Sequence, residues 1–218
     1  MSLPRRPQAV IFDFDGLVID SERLVRDAMI AVAPKFGREV DEAFFLSLVG
    51  RARDHNTAAL HAFFGPGFAI EDFHTAVGAH IGGASFGGAP LKTGVTELLD
   101  VLDAAATPRA IATSSSHDWV QRHLTLHALD ARFNTVVASG DYANSKPHPE
   151  PYLTAAARLG VAPELCLALE DSYSGVTAAH AAGMMTIMAP DLLAPTEDMR
   201  ARTVRIVETL HEVAALLR

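Results

Sequence analysis

Ala9-Val-Ile-Phe-Asp-Phe-Asp-Gly16 is the stretch that decides the fold of this 218-residue chain. An apolar run of this length without polar alternation predicts a strand that is buried on both faces of a parallel sheet. Asp13 and Asp15 end the run, and alternation along an extended chain places their side chains on the same side. Gly16 permits an immediate turn after them. The stretch therefore predicts a central strand that ends in two carboxylates.

Four further apolar runs have the same form and lie at 109–113, 135–138, 165–169 and 185–188. Amphipathic segments typical of helices separate them, at 95–105, 119–129, 149–159 and 176–182. The last stretch, 204–217, resembles an edge strand followed by a closing helix. This alternation predicts an α/β fold with a Rossmann-like parallel-sheet core.

One segment interrupts the alternation, because residues 21–91 show helical patterns and no convincing buried strand. About 70 residues are too many for a simple crossover, which needs about a dozen. We therefore expect a catalytic core formed by 1–20 and 92–218 and a helical cap domain, 21–91, inserted after the first strand. Glycines and a proline between 82 and 90 predict the linker that returns to the core.

Composition and charge exclude several classes of function. Eighteen Lys and Arg against 26 Asp and Glu give a net charge of −8, which argues against a nucleic-acid partner. No apolar run approaches the roughly 20 residues that a membrane span requires. The single cysteine, Cys166, suits a reducing cytoplasm and a small buried core position. The cysteine count predicts a cytoplasmic protein, and because no extended apolar face is evident we expect a monomer.

A second pair of carboxylates, Glu170-Asp171, follows the apolar run at 165–169. Ligands of open parallel sheets bind beyond the carboxyl ends of the strands. Carboxylates that meet there repel one another unless a cation lies between them, and oxygen ligands suit Mg²⁺. Either pair alone is equally typical of turns and helix caps. Both pairs together favour a magnesium site.

Groups that bind anions lie in two loops of the same predicted edge. Thr113-Ser-Ser-Ser116 follows the second strand, and Lys146 lies just ahead of a helix in Ser145-Lys-Pro-His-Pro149. Hydroxyls and N–H groups at a helix N-terminus can hold an anion, and a lysine adds full charge. Taken singly, the serines are typical of a capping turn and the lysine of a solvated loop. With the carboxylates they indicate a nucleophile, a metal and a phosphate cradle.

These residues resemble, in order and setting, the four motifs of the haloacid dehalogenase superfamily. The motifs are Asp13-x-Asp15, Thr113, Lys146 and Glu170-Asp171. Longer segments at 13–22, 145–152 and 169–175 are similar to the β-phosphoglucomutase-like subgroup, which includes sugar-phosphate phosphatases. The resemblance covers nearly the whole chain, including the helical cap.

The resemblance implies a Mg²⁺-dependent phosphatase that hydrolyses a small phosphorylated metabolite, expected to be a sugar phosphate. Asp13 would form an aspartyl phosphate, and Asp15 would act as the general acid and base. The implied phosphate-binding groups are Thr113, Ser114 and Lys146. The implied metal site contains Asp13, Asp15 through its main-chain carbonyl, Asp171, and Glu170 either as a ligand or as a supporting partner.

The cap is expected to select the substrate, with Arg53 and His80 as the candidate residues. The alternative activity is a β-phosphoglucomutase-type transfer, which needs basic groups in the cap. The mutases carry a histidine ten residues after the second aspartate, where this chain has Val25. The segment 54–91 also contains no Lys or Arg, so we favour the phosphatase.

Three other classes fit the residues less well. Dehalogenation requires neither Mg²⁺ nor an acid at the position of Asp15. Phosphonate hydrolysis needs a Schiff-base lysine from the cap, and the only lysine there, Lys35, is in a setting typical of a structural residue at a helix end. A binding module without activity is disfavoured, because every catalytic position is kept. The histidines lack a zinc-binding spacing, and Trp119 is interpreted as a packing residue.

Overall fold

The computed structural model describes residues 3–49, 53–83 and 88–218, with side chains described for all of these except 53–55. The chain divides into two compact units, Met1–Ile19 with Leu91–Arg218 and Asp20–Pro90. Residues 84–87 of the predicted return linker lie outside the described residues.

The first unit is built on a parallel sheet that has six strands among the described residues. The strands are β1 Ala9–Phe12, β2 Arg109–Ala112, β3 Thr135–Val137, β4 Cys166–Glu170, β5 Met185–Met188 and β6 Arg205–Ile206. Their order in the sheet is β3-β2-β1-β4-β5-β6. The Rossmann-like α/β fold is thereby confirmed.

The described helices, in chain order, are α1 Ser21–Val32, α2 Glu42–Leu48, α3 Arg53–Phe64, α4 Ile70–Gly82, α5 Val95–Ala104, α6 His117–Leu126, α7 Glu150–Leu159, α8 Tyr173–Ala181, α9 Glu197–Arg202 and α10 Leu210–Leu217. The first four belong to the second unit and the other six to the first. None of the described helices combines the length and the apolar character needed to cross a membrane.

The order in which the chain adds strands to the sheet reverses at β1. The chain builds β2 and β3 on one side of β1 and then adds β4 to its other side, where Phe12 pairs with Leu169. Ligands of such sheets bind at this switch point, beyond the carboxyl ends of the strands. The residues that follow β1 and β4 are therefore the ones positioned to form a site.

Helix α7 packs across β1, β2 and β3 on an alanine-rich surface. Small side chains allow the helix to approach the sheet closely, so that Tyr152 in its first turn is completely buried. This close approach places the Tyr152 hydroxyl near the carboxyl ends of the strands.

The second unit is helical, with α1 and α3 packed on α4 and an aromatic cluster around Phe73. Phe36, Phe64 and Phe68 contact the Phe73 ring with centroid separations between 5.4 and 6.1 Å. Such contacts supply the core that this small unit needs.

Candidate active site

Three carboxylates meet where β1 and β4 end side by side. The Asp13 amide donates to the Leu169 carbonyl at 2.9 Å, which continues the pairing of the two strands by one residue. Asp13, Glu170 and Asp171 offer oxygens that all lie within 4.8 Å of one another, and all three residues are at least nine-tenths buried. Their grouping follows directly from the parallel register.

The turn after β1 is pressed against this cluster. Gly16 has a φ of +80°, and a Cβ built on it would lie 2.3 Å from Oδ2 of Asp171. Only glycine satisfies both conditions, since other residues rarely adopt this φ and their Cβ would displace the carboxylate. The turn thus leaves the Asp171 carboxylate room beside the main chain of the first motif.

Lys146 is the cation of the cluster. Its Nζ lies 2.6 Å from Oδ1 of Asp13 and 2.6 Å from Oε1 of Glu170. Burial favours the neutral amine, but Asp13 and Glu170 outweigh it, so the pKa of Lys146 is raised and the ammonium is retained. One positive charge therefore bridges the ends of β1 and β4.

Glu170 has hydrogen bonds at both carboxylate oxygens. Oε1 accepts from Lys146 and, at 2.7 Å, from the hydroxyl of Tyr152. Oε2 accepts from the amides of Asp171 and Ser172 and from the Ser172 hydroxyl, at 3.0–3.1 Å. A Cβ on Gly175 would lie 1.6 Å from Oε1, so α8 also packs directly on this carboxylate. Glu170 is fixed from every side and in turn fixes Lys146.

Asp15 has a different set of partners, on the loop that follows β2 and in the first turn of α6. Its Oδ2 accepts from the hydroxyls of Ser115 at 2.6 Å and Thr113 at 3.4 Å. Its Oδ1 accepts from the indole N–H of Trp119 at 2.8 Å. The two aspartates of the first motif therefore have separate environments, one beside a lysine and one among neutral donors.

The predicted phosphate-binding groups surround the same edge of the sheet. Thr113 follows β2 directly, and its hydroxyl also accepts from the Ser115 amide at 3.0 Å. Ser114 is exposed, and the Tyr142 hydroxyl beside it donates to the Thr113 carbonyl at 2.9 Å. Thr113 contacts Asp15 and Lys146 contacts Asp13, so both candidates lie at the end of β1.

The charge balance of the cluster is unfavourable without a further cation. Three buried carboxylates face one ammonium, and the pKa of Asp13 is raised to about 8, chiefly by burial and against the opposing effect of Lys146. A divalent cation would supply the missing positive charge, and oxygen donors are those that Mg²⁺ prefers. The residues present therefore fit a hard divalent ion.

Sequence reasoning assigned no individual role in this site to four side chains: Ser115, Trp119, Tyr142 and Tyr152. The interpretation of Trp119 as a packing residue describes its ring but omits its N–H donor. A serine run and an aromatic residue in the first turns of a helix were the available signals. Neither signal reveals which polar atom a side chain reaches.

The candidates in the second unit are described only in part. The side chain of Arg53 lies outside the described residues, and His80 is half-buried near the end of α4. This unit contains a cavity of about 410 Å³ whose described lining includes Val25 and has no lysine or arginine. Its polar lining residues are Glu22, Asn56 and His74.

Comparisons with known proteins agree with this geometry. Residues 10–189 match the model of the haloacid dehalogenase-like hydrolase family. Hexitol phosphatase B of Escherichia coli is 33% identical over 87% of this chain and 86% of its own length. The phosphorylated carbohydrates phosphatase of Thermotoga maritima is 32% identical, over 83% of each chain.

A crystal structure supports the same relationship. A provisionally named β-phosphoglucomutase from Thermotoga maritima is 28% identical, with a TM-score of 0.79 over 96% of this chain and 97% of that one. The family match, the named phosphatases and this structural likeness all cover most of the chain. The chain therefore belongs to the haloacid dehalogenase-like hydrolase family, as one of its β-phosphoglucomutase-like phosphatases.

Proposed function

We propose that this phosphatase hydrolyses sugar phosphates or similar small phosphomonoesters through a phosphate covalently bound to Asp13. The observation that carries the proposal is the division between the two aspartates at the end of β1. Lys146 contacts Asp13, whereas neutral donors on the β2–α6 loop and in the first turn of α6 contact Asp15. Two identical groups with different partners are what nucleophilic and acid–base roles require.

Mg²⁺ is the proposed cofactor, bound by the side chains of Asp13 and Asp171 and the main-chain carbonyl of Asp15. When bound, it would neutralise charge on the transferring phosphoryl group. Glu170 is assigned a supporting role, because its oxygens already accept five hydrogen bonds. It holds Lys146, which together with Thr113 and the Ser114 amide would bind the phosphoryl oxygens.

In the first step, an Asp13 oxygen attacks phosphorus, and the bond from phosphorus to the alcohol oxygen breaks. Asp15 gives its proton to the departing alcohol. In the second step, Asp15 takes a proton from water as the water oxygen attacks phosphorus. The bond to Asp13 then breaks, inorganic phosphate leaves, and Asp15 is again protonated. Positioning and charge neutralisation supply most of the rate enhancement.

The substrate class rests on the relatives and on the cap unit. Two relatives are named for hexitol and carbohydrate phosphates, which supports a sugar or sugar-alcohol phosphate. The described lining of the cap cavity contains no lysine or arginine that could bind a second phosphate. The lack of such cations among the described lining favours transfer of phosphate to water over a mutase reaction.

Phosphate release from a panel of sugar and sugar-alcohol phosphates tests the proposal, with glucose 1-phosphate plus a trace of its 1,6-bisphosphate included. We expect Mg²⁺-dependent release that is lost by at least about 10³-fold in Asp13→Asn, which removes the nucleophile. Asp15→Ala, which keeps Asp13, is expected to lose about 10²–10⁴-fold. Asp100→Asn, on the surface of α5, is the control and should retain full activity.

Two outcomes would contradict the proposal. Conversion of glucose 1-phosphate to glucose 6-phosphate without net phosphate release would make the chain a mutase. Undiminished turnover in Asp13→Asn would exclude the covalent intermediate. Trapping ³²P from a labelled substrate on wild-type protein, but not on Asp13→Asn, supplies a direct check on the intermediate.

A further inference from the structure

Trp119 contacts the Asp15 carboxylate at a point that the serine and threonine do not reach. Its indole N–H donates to Oδ1 at 2.8 Å, while Ser115 donates to Oδ2 at 2.6 Å. Two donors on opposite oxygens prevent the carboxylate from rotating about its Cβ–Cγ bond. An indole N–H is a donor only, so this contact cannot reverse its direction.

The indole is itself held in place by α6. The Trp119 amide donates to Ser116, the residue that caps this helix, at 3.3 Å. The imidazole of His123, one turn later, lies 4.2 Å from the indole between ring centroids. Nδ1 of His123 lies 2.9 Å from the Trp119 carbonyl. Burial lowers the pKa of His123, which keeps the ring neutral beside the indole at pH 7.

We propose that Trp119 is a positioning residue that orients the Asp15 carboxyl group for proton transfer to the leaving alcohol. The inference rests on the proposed function, because it assigns Asp15 the acid–base role. Proton transfer depends steeply on the placement of donor and acceptor, so losing one of two fixed contacts lowers the rate of this step. The same loss should not slow the hydrolysis of esters whose leaving group departs without a proton.

The first test uses the fact that Trp119 is the only tryptophan of the chain. Its fluorescence therefore reports the Asp15 contact whether or not a substrate is known. Asp15→Ala is expected to shift the emission maximum, whereas Asp118→Asn, an exposed carboxylate next to Trp119, is not. An unchanged spectrum in Asp15→Ala would overturn the contact and the proposal with it.

The second test compares two substrates in Trp119→Phe, which keeps an aromatic ring and removes the N–H donor. For the best alkyl phosphate we expect kcat/KM to fall about 10- to 100-fold, the range for one hydrogen bond to a carboxylate, which Asp15 becomes as it gives up its proton. For p-nitrophenyl phosphate, whose leaving group needs no proton, the fall is expected to stay below about threefold. In an Asp15→Ala background the same substitution should cause no further loss.

The matched control is Phe133→Leu, which alters the contact of a half-buried ring with Phe12 and removes no hydrogen bond to Asp15. It should affect both substrates by the same factor. Equal losses for both substrates in Trp119→Phe would show a merely structural role and overturn the inference. If wild-type protein hydrolyses no phosphomonoester while Asp15→Ala still shifts the fluorescence, the contact stands and the proposed function fails instead.

Discussion

Asp13 and Asp15 are chemically identical side chains two residues apart, and their neighbours give them different properties. Asp13 is buried among Glu170, Asp171 and Lys146, where burial raises its pKa to about 8. Asp15 accepts hydrogen bonds from neutral donors on the loop after β2 and in α6. The roles proposed for them follow from these surroundings and not from the residue type.

The raised pKa of Asp13 predicts how stability depends on pH without metal. The folded protein binds this proton more tightly than the unfolded chain does, so the contribution is complete near pH 4 and is lost as pH rises towards 8. In EDTA the free energy of unfolding should fall by about 1 kcal/mol per pH unit over this range. Asp13→Asn removes the titrating group, so its stability should depend less on pH and exceed the wild type near pH 8.

Urea denaturation in EDTA at half-unit steps from pH 5 to 8 measures this difference. Asp141→Asn is the control, since Asp141 lies outside the carboxylate cluster and its pKa is lowered, chiefly by the hydrogen bond from Arg158. Identical pH dependence in wild type and Asp13→Asn would show that Asp13 does not carry the extra proton.

The residues that sequence could identify are those whose position along the chain decides their position in space. Asp13, Glu170 and Asp171 directly follow buried strands, and adjacent parallel strands bring such residues together. Tyr152 and Trp119 were not identified, because their polar atoms reach partners 18 and 104 residues away. Periodicity predicts that an aromatic ring is buried but not where its one polar atom points.

At the scale of elements, the site depends on how α8 meets the end of β4. The helix begins at Tyr173 after the Ser172 cap, and Gly175 in its first turn lies against the Glu170 carboxylate. The helix can start so close to the strand only because residue 175 has no side chain. Through Glu170, the position at which α8 starts therefore also affects the position of Lys146.

Gly175→Ala is therefore expected to displace Glu170, since the new Cβ would lie 1.6 Å from Oε1. The free energy of unfolding should fall by about 1–3 kcal/mol, and kcat should fall as Lys146 loses its support. Gly78→Ala in α4 is the matched helical control, because its Cβ meets nothing within 4 Å. That change should raise stability by about 0.5–1 kcal/mol through helix propensity. Equal effects of the two substitutions would refute the proposed packing constraint.

Sequence patterns located the elements of the sheet better than their ends. The five predicted buried runs are all strands, but the first ends at Phe12, because the Phe14 carbonyl already accepts the turn hydrogen bonds from Val18 and Ile19. Helix α6 begins at His117, two residues before the predicted 119–129 segment, because Ser116 caps it. The six-residue α9 was missed, since so short a helix shows no clear amphipathic period.

At the scale of the whole molecule, a buried cluster with excess negative charge opposes folding until a cation binds. Three carboxylates share one ammonium at the switch point, where the two middle strands of the sheet end. Proteins commonly retain such destabilising groups where activity needs them. Stability of this chain should therefore be linked to the concentration of a divalent cation.

Magnesium is expected to raise the melting temperature of the wild-type protein relative to EDTA. A ligand at 100 times its Kd adds about 2.7 kcal/mol to stability, which corresponds to roughly 5–10 °C for a chain of this size. Asp171→Asn removes one proposed ligand and should lose most of the shift, whereas Asp100→Asn, an exposed partner of Arg132, should keep it. A melting series over increasing Mg²⁺ concentration measures the effect in all three proteins. A shift of the same size in Asp171→Asn would place the ion elsewhere, and no shift at all in the wild type would leave the carboxylate cluster without its proposed cation.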